Sequence, residues 1–343
     1  MTNHLFSPYE IKGLQLKNRV VMAPMCQYSV TARDGKPNEW HYVHYLSRAI
    51  GGAALIIMEM TGVEPDGRIT DFDLGIWSDD HIPAFARIIN GVHAHGAKIG
   101  IQIAHAARKA EDAKEPVAPS AIPYPGSRYK MPRALTVDEV NQMVQLYADA
   151  ARRAVQAGVD MIELHGAHGY LIHQFQSPFT NKREDAYGQD LTKFGVEVIQ
   201  AVKKEMPADM PLFFRITAVE YADGGYGMEH AIKLSKAYHA AGVDVFHVSS
   251  GGEGPVGKRK PGNYPGYQVP FARKIREALG VPVVAVGMLE DPALAQSVIC
   301  SEEADLVAIA RGMLRDPYWT IHAAKSLRSE YTTIPKQYER AYH

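Results

Sequence analysis

Eight short apolar runs, each followed by a stretch of helical periodicity, constrain this chain more than any other feature. They read "RVVMAPM" (19–25), "ALIIMEM" (54–60), "KIGIQIA" (98–104), "DMIELHG" (160–166), "PLFFRIT" (211–217), "DVFHVSS" (244–250), "VPVVAVG" (281–287) and "ADLVAIA" (304–310). The runs are continuous rather than alternating, as expected of parallel strands buried on both faces. Helical patterns fill the intervals at 38–50, 80–95, 136–157, 192–205, 228–241, 269–279, 292–299 and 317–329. The third carries a capping-box pair, Thr136 and Glu139, and Gly158 just past its end. Its apolar stripe is Val140, Met143, Val144, Tyr147, Ala151, Ala154 and Val155. Eight strands alternating with eight helices predict the α/β class and one (β/α)₈ TIM barrel over 1–343. A doubly wound sheet fits less well, since no early strand carries a glycine-rich turn into a helix.

Composition narrows the function classes. Of 343 residues, 46% are apolar and 22% charged, with a formal net charge of -1, ordinary values for a globular protein. The densest basic cluster, Lys258-Arg259-Lys260, reads as a solvated loop, so no nucleic acid partner is expected. No apolar run approaches the ~18 residues of a membrane span. The start, "MTNHLFSPYEIKGLQLKNRV", lacks the apolar core of a signal peptide. Two cysteines, Cys26 and Cys300, form neither a disulfide framework nor a metal cluster. Together these predict a cytoplasmic globular protein.

"GEGPVGK" (252–258) matches a dinucleotide fingerprint and nearly a P-loop. Both need a helix to follow, and Pro261 and Pro265 prevent one from starting there. The stretch therefore reads as a flexible loop at the barrel mouth. The Pro-rich "EPVAPSAIPYPGSRYKMP" between the third strand and its helix predicts a lid, at about 108–135.

Barrel enzymes place their sites at the C-terminal ends of the strands. Here those ends carry Cys26 and Tyr28, then Gln102 and His105, then "HGAHGY" with His165, His168 and Tyr170, then Arg215, Ser249, Ser250, Gly287, Arg311 and Gly312. Gly166 and Gly169 let the backbone turn, so both imidazoles and the phenol can converge above the barrel. Two neutral imidazoles can polarise a carbonyl oxygen, and a phenol is a weak acid suited to protonating carbon. A metal pair is the alternative, though no third ligand is evident. Arg215 and Gln102 in otherwise apolar strands read either as a structural ion pair or as the lining of a heteroaromatic ring. Gly287, Ala310, Arg311 and Gly312 lie where barrels bind phosphate. Cys26 is either a small buried hydrophobe or a thiol with a nearby base.

Longer segments carry a resemblance. "LFSPYEIKGLQLKNRVVMAPMCQYS", "GRITDFDLGIWSDDHI", "KIGIQIAHAARKA", "APSAI", "IELHGAHGYLIHQFQSP", "PGYQVPFARKIR" and "VAVGM…ADLVAIARGMLRDP" resemble the old yellow enzyme family, and "MCQYS" and "QYERAY" its bacterial thermophilic-like NADPH dehydrogenase branch. The resemblance implies tightly bound FMN, with contacts at Ala23, Pro24, Met25, Cys26, Met60, Gln102, Arg215, Gly287, Ala310 and Arg311. It implies NADPH as hydride donor over the flavin, and electrophilic alkenes as ene-reductase substrates. His165 and His168 would bind the substrate oxygen, Tyr170 would donate the proton, and Tyr28 would touch the substrate. Arg340, in a C-terminal tail at about 331–343, would reach a neighbouring subunit's site, which requires a homodimer or homotetramer. The chain departs from the branch at Met60, where a small residue is usual, and in a shortened segment near 188–194. A metal-dependent hydrolase and a flavin-holding ligand sensor remain the alternatives.

Overall fold

The computed structural model describes residues 4–330 and 334–342. Eight parallel strands close on one another: β1 (Val20–Met22), β2 (Leu55–Gly62), β3 (Lys98–Ala104), β4 (Met161–Gly166), β5 (Leu212–Thr217), β6 (Val245–Ser249), β7 (Val283–Ala285) and β8 (Leu306–Ile309). The ring shuts where Val307 pairs with Val20 and Ile309 with Met22. The crossover helices are α1 (Glu39–Ile50), α2 (Ile82–Ala94), α3 (Val137–Ala157), α4 (Lys193–Glu205), α5 (Met228–Ala241), α6 (Val269–Leu279), α7 (Pro292–Cys300) and α8 (Trp319–Ser326). This is the predicted (β/α)₈ barrel.

The predicted local signals operate as expected. Thr136 and Glu139 form both capping-box bonds at the start of α3, and Gly158 ends it at φ +95°. Asp291 caps α7 by accepting the Leu294 N–H at 2.8 Å. The strand expected at 19–25 is shorter. The Ala23 N–H still reaches the Ile309 carbonyl at 3.1 Å, but Pro24 has no N–H with which to continue the ladder. The helix expected from 317 starts at Trp319, because Asp316 instead accepts the Tyr318 N–H at 2.9 Å and holds His322 Nδ1 at 2.7 Å.

Alternation along each strand sends one set of side chains into the barrel and the other against the helices. The lower interior is apolar: Leu55, Ile57, Met161, Phe213, Val245, Val284 and Leu306 pack together. Beneath them lies the hairpin Tyr9–Ile11/Leu14–Leu16, with Ile11, Leu14 and Leu16 buried in the same cluster. Its turn is tied to the barrel base by the Gly13 N–H on the Asp209 carbonyl (3.0 Å) and by Lys12 on Asp244 (2.7 Å).

Strand β2 breaks the alternation. Met58 pairs with Ile101, but Met60 pairs with the next residue, Gln102, so Glu59 is an extra residue in a bulge. Glu59 thereby turns out of the barrel, where the Tyr45 hydroxyl of α1 donates to it at 2.9 Å. Met60 turns inward beside Ala104, Cys26 and Tyr170.

The tail packs on the outside of the barrel. Its turn Lys336–Ala341 brings the Tyr338 ring within 5.8 Å of Tyr318, and the Tyr342 hydroxyl lies 3.4 Å from His322 Nε2. Arg340 is exposed there. Residues 331–333 and 343 of the expected tail lie outside the described residues. Among the described residues no helix is long and apolar enough to cross a membrane.

Candidate active site

Above the apolar floor, the inward positions of β3 to β6 become polar. Glu163 is fully buried at the hub. It accepts from Gln102 Nε2 at 2.7 Å and pairs with His247 Nδ1 at 2.8 Å. Arg215 stands beside this group, and Glu163 is the carboxylate that most supports its charge. Arg215 Nε and His247 Nε2 are buried without a hydrogen-bond partner. Buried polar atoms left unpaired in a barrel centre are costly. With its ring proton on Nδ1 toward Glu163, His247 offers Nε2 as an acceptor, while Arg215 Nε is a donor. The pair suits a ring that carries both acceptors and an N–H, and FMN's isoalloxazine is such a ring. Sequence reasoning singled out Arg215 and Gln102 but missed His247. The signal was there: in "DVFHVSS", His247 and Ser249 are two apart and share the inward face.

The next layer is built by the turn after β4. His165, its last inward side chain, is buried. The chain then reverses through two residues of positive φ, His168 (+59°) and Gly169 (+76°). Glycine is required at the second. A Cβ on Gly169 would lie 2.5 Å from the Gly252 carbonyl. The result brings the His165 ring 5.2 Å from His168 and 4.8 Å from Tyr170, both edge-on. His165 Nδ1 accepts the Ala167 N–H at 3.3 Å, which leaves the ring proton on Nε2. His168 Nε2 lies 2.7 Å from Ser249 Oγ. Burial, reinforced by the Arg215 charge, holds both imidazoles well below their usual pKa. They are neutral near pH 7 and able to donate a hydrogen bond to an oxyanion without titrating. Burial pushes the Tyr170 phenol well above its usual value, so it keeps its proton.

Opposite Tyr170 lie the residues that follow β1. Ala23 and Pro24 are buried, Met25 and Cys26 half-buried, and Tyr28 is exposed at the mouth at φ +50°. Cys26 faces Glu59 and Asp73, and one ligand atom from each of these three lies within 4.8 Å of the others. Burial first, then those two carboxylates, push the Cys26 thiol well up. Cys26 is therefore a thiol rather than a thiolate nucleophile. Among the described residues, groups of three ligand atoms that could hold a metal do not include the histidines of the turn.

Gly287, after β7, has φ +123°, and a Cβ there would meet Gln268 Nε2 at 2.7 Å. After β8, Ala310 precedes the short helix Arg311–Arg315, with Arg311 exposed. These turns present backbone beside one another, as a phosphomonoester requires.

Two loops, one read from the sequence as a lid and one as a flexible loop at the mouth, are anchored at their starts. The Lys109 ammonium binds the carbonyls of His168 (2.9 Å) and Gly252 (3.1 Å) and lies 5.1 Å over the Tyr170 ring. Burial lowers its pKa to about 8. The loop expected to be flexible is anchored at its start: Glu253 and Gly254 are buried, whereas Pro255, Val256 and most of 258–265 beyond them are exposed. Sequence reasoning gave no role to Arg108, Lys109 or Glu253, although all three fall within segments it quoted. His105, at the end of β3, instead bonds Glu64 at 2.7 Å, outside the converging group. The shortened segment near 188–194 runs from the end of the small helix Ala186–Gln189 into α4, and just before it Tyr187 bonds Glu197 of α4 at 2.8 Å.

This chain matches the model of the NADH:flavin oxidoreductase / NADH oxidase family over residues 4–330. It is 47% identical over 341 residues to an NADPH dehydrogenase of Listeria innocua, covering 98% of this chain and 99% of that one. An NADPH dehydrogenase of Geobacillus thermodenitrificans is 47% identical over 345 residues, covering 100% and 99%. Among solved structures, morphinone reductase in complex with tetrahydroNAD is similar with a TM-score of 0.82 at 28% identity, covering 94% of this chain and 91% of that one. The cofactor is FMN, and the reductant is a nicotinamide dinucleotide, NADPH. The chain belongs to the NADH:flavin oxidoreductase / NADH oxidase family, the old yellow enzymes, and is an FMN-linked NADPH oxidoreductase.

Proposed function

We propose that this oxidoreductase reduces the C=C bond of activated alkenes, chiefly α,β-unsaturated carbonyl compounds and also nitroalkenes. The observation that carries the reading is the clustering of two neutral imidazoles and one protonated phenol at the C-terminal end of β4. When bound, FMN supplies the hydride chemistry, with NADPH as donor and the alkene as acceptor in turn, a ping-pong order. Ala23, Pro24, Met25, Cys26, Met60, Gln102 and Arg215 hold its ring. Gly287, Ala310 and Arg311 hold its phosphate.

His165 and His168 bind the substrate oxygen and stabilise the charge that develops there; losing one such donor costs about a hundredfold in rate. Tyr170 gives its proton to the α-carbon. Tyr28 lines the substrate's approach from the mouth. The 108–135 segment, which starts at the buried Arg108, serves as the lid. Arg340 completes the site of a neighbouring subunit in a homodimer or homotetramer, consistent with its exposure outside its own barrel. The enzyme works in the cytoplasm.

The decisive experiment is a visible spectrum. The purified protein is expected to be yellow, to bleach with anaerobic NADPH, and to regain colour with cyclohexenone. A double variant, His165→Ala with His168→Ala, is expected to keep the flavin and lose phenol binding. Unchanged phenol affinity in that variant refutes the assigned roles. A flavin that NADPH does not bleach supports the ligand-sensor reading, and a colourless protein with stoichiometric zinc supports the hydrolase.

A further inference from the structure

The turn that carries His168 and Tyr170 rests on four ionisable side chains withdrawn from water: Arg108, His173, Glu220 and Glu253, each 1% exposed or less. The Gly169 N–H donates to His173 Nδ1 at 2.7 Å. Nδ1 is therefore an acceptor, and the ring proton sits on Nε2, which donates to Glu220 Oε1 at 3.1 Å. Glu220 Oε2 is satisfied by the Tyr226 N–H at 2.9 Å. Glu253 reaches the same ring from the β6–α6 loop. Its Oε2 lies 3.4 Å from His173 Nδ1 and has no hydrogen-bonded donor, since the nearby Thr180 hydroxyl donates instead to the Gln174 carbonyl at 3.0 Å. Its Oε1 takes Arg108 Nη2 at 3.4 Å, and the same guanidinium nitrogen holds the Glu253 carbonyl. Arg108 Nη1 reaches the carbonyls of Ile122 and Pro123, both at 3.4 Å, in the β3–α3 loop. The other nearby cation, Lys109, is engaged with the His168 and Gly252 carbonyls.

Two acceptor atoms, Glu253 Oε2 and His173 Nδ1, thus face each other away from water. An ionised carboxylate in that position would be strongly disfavoured. A proton on Glu253 Oε2 resolves the conflict: it removes the uncompensated charge and lets the acid share the Nδ1 lone pair with the Gly169 N–H, at the long distance of 3.4 Å, while Oε1 still accepts from Arg108. A proton on Nδ1 does not, because it would displace the Gly169 N–H. Burial independently pushes the Glu253 carboxyl upward.

Resting on the alkene-reduction reading above, we propose that Glu253 is a positioning residue of the active site: held as the neutral acid, it clamps the His168–Gly169–Tyr170 turn between the β6–α6 loop and the lid. It acts through Gly169 and His173 and touches no reacting atom. Gly169 is pressed against it, since a Cβ there would stand 2.8 Å from Glu253 Oε2.

The test compares Glu253→Ala and Glu253→Gln in the flavin-loaded enzyme. Glutamine copies the neutral acid's acceptor oxygen and supplies N–H donors in place of its O–H; alanine removes the clamp. E253A is expected to be bleached by saturating NADPH at about the wild-type rate, since that step needs no proton from Tyr170. Its recolouring by cyclohexenone should slow by about tenfold or more, because a small displacement of a catalytic group is costly. Its dissociation constant for 4-hydroxybenzaldehyde should rise by about tenfold as His168 loosens. E253Q should restore both to within about threefold of wild type. Wild-type recolouring in E253A, or an E253Q as impaired as E253A, overturns the proposal. A loss of NADPH bleaching equal to the loss of recolouring overturns it as well. If E253A cannot be obtained folded, E253Q alone decides, because the neutral-acid assignment requires it to work. A wild-type enzyme that leaves cyclohexenone untouched removes the alkene reading instead; Glu253 is then judged on aldehyde affinity, which must fall in E253A and not in E253Q.

Discussion

Replacing Glu163 with glutamine removes a charge and almost no volume. In the native barrel Glu163 accepts from Gln102 (2.7 Å) and pairs with His247 (2.8 Å), fully shielded from water, and its charge is the main support for that of Arg215. Hydrogen bonds to a charged group contribute about 1.5–3 kcal/mol. Leaving a buried cation without its compensating anion costs about 3–5 kcal/mol. The glutamine keeps one acceptor, and His247 can change tautomer to accept from its amide, so part of the first term survives. The expected net loss is about 3 kcal/mol, roughly a hundredfold in the unfolding equilibrium. In urea, followed by tryptophan fluorescence, the midpoint should fall by about 1 M for a slope near 3 kcal/mol per M. The measurement should be made at fixed FMN and again after flavin removal, because a ligand bound only to the folded state adds stability by mass action. A midpoint within ~0.2 M of wild type in both conditions would refute the reasoning. It would mean that Arg215 draws its compensation from elsewhere.

Two further outcomes are expected. Burial pushes the Glu59 carboxyl from 4.5 up to about 8, against weaker opposing pulls from the Gln27 N–H and the Tyr45 hydroxyl. A raised carboxyl favours the fold below its unfolded pKa, and that contribution is lost as pH rises from ~4.5 through ~8. Glu59→Gln should therefore flatten the decline in melting temperature between pH 6 and 9, and an unchanged decline would assign it to other groups. Arg340→Ala should raise KM for the alkene and leave flavin bleaching by NADPH intact. Mixing R340A with H165A subunits should then recover activity above the sum of the two; no recovery would place Arg340 outside a partner's site.

The barrel was legible because its signals are local and repeated. Continuous apolar runs mark strands covered on both faces, and pairs such as Thr136 with Glu139 mark helix starts. The position of the site followed from the architecture, and the "HGAHGY" turn from its two glycines. What could not be read was who compensates whom. Glu163 and His247 are 84 residues apart, and Arg108 and Glu253 are 145 apart. Their pairing is created by ring closure and loop packing, which leave no periodic trace. The same gap explains why Glu253 passed for part of a flexible loop. Glycine and proline neighbours describe the backbone's freedom, not the anchor that removes it.

The slipped register of β2 decides which side chain reaches the upper interior of the barrel. Strict pleating would continue Leu55, Ile57 and then Glu59 toward the barrel axis, aiming an acid at Cys26 and Tyr170. The inserted position exports that acid to the rear wall and presents the thioether of Met60 in its place. One backbone irregularity thus separates a site with a buried anion at its face from one with a polarisable, uncharged lining. Removing Glu59 alone would restore regular pleating with Met60 still facing inward, and would take the acid from the rear wall.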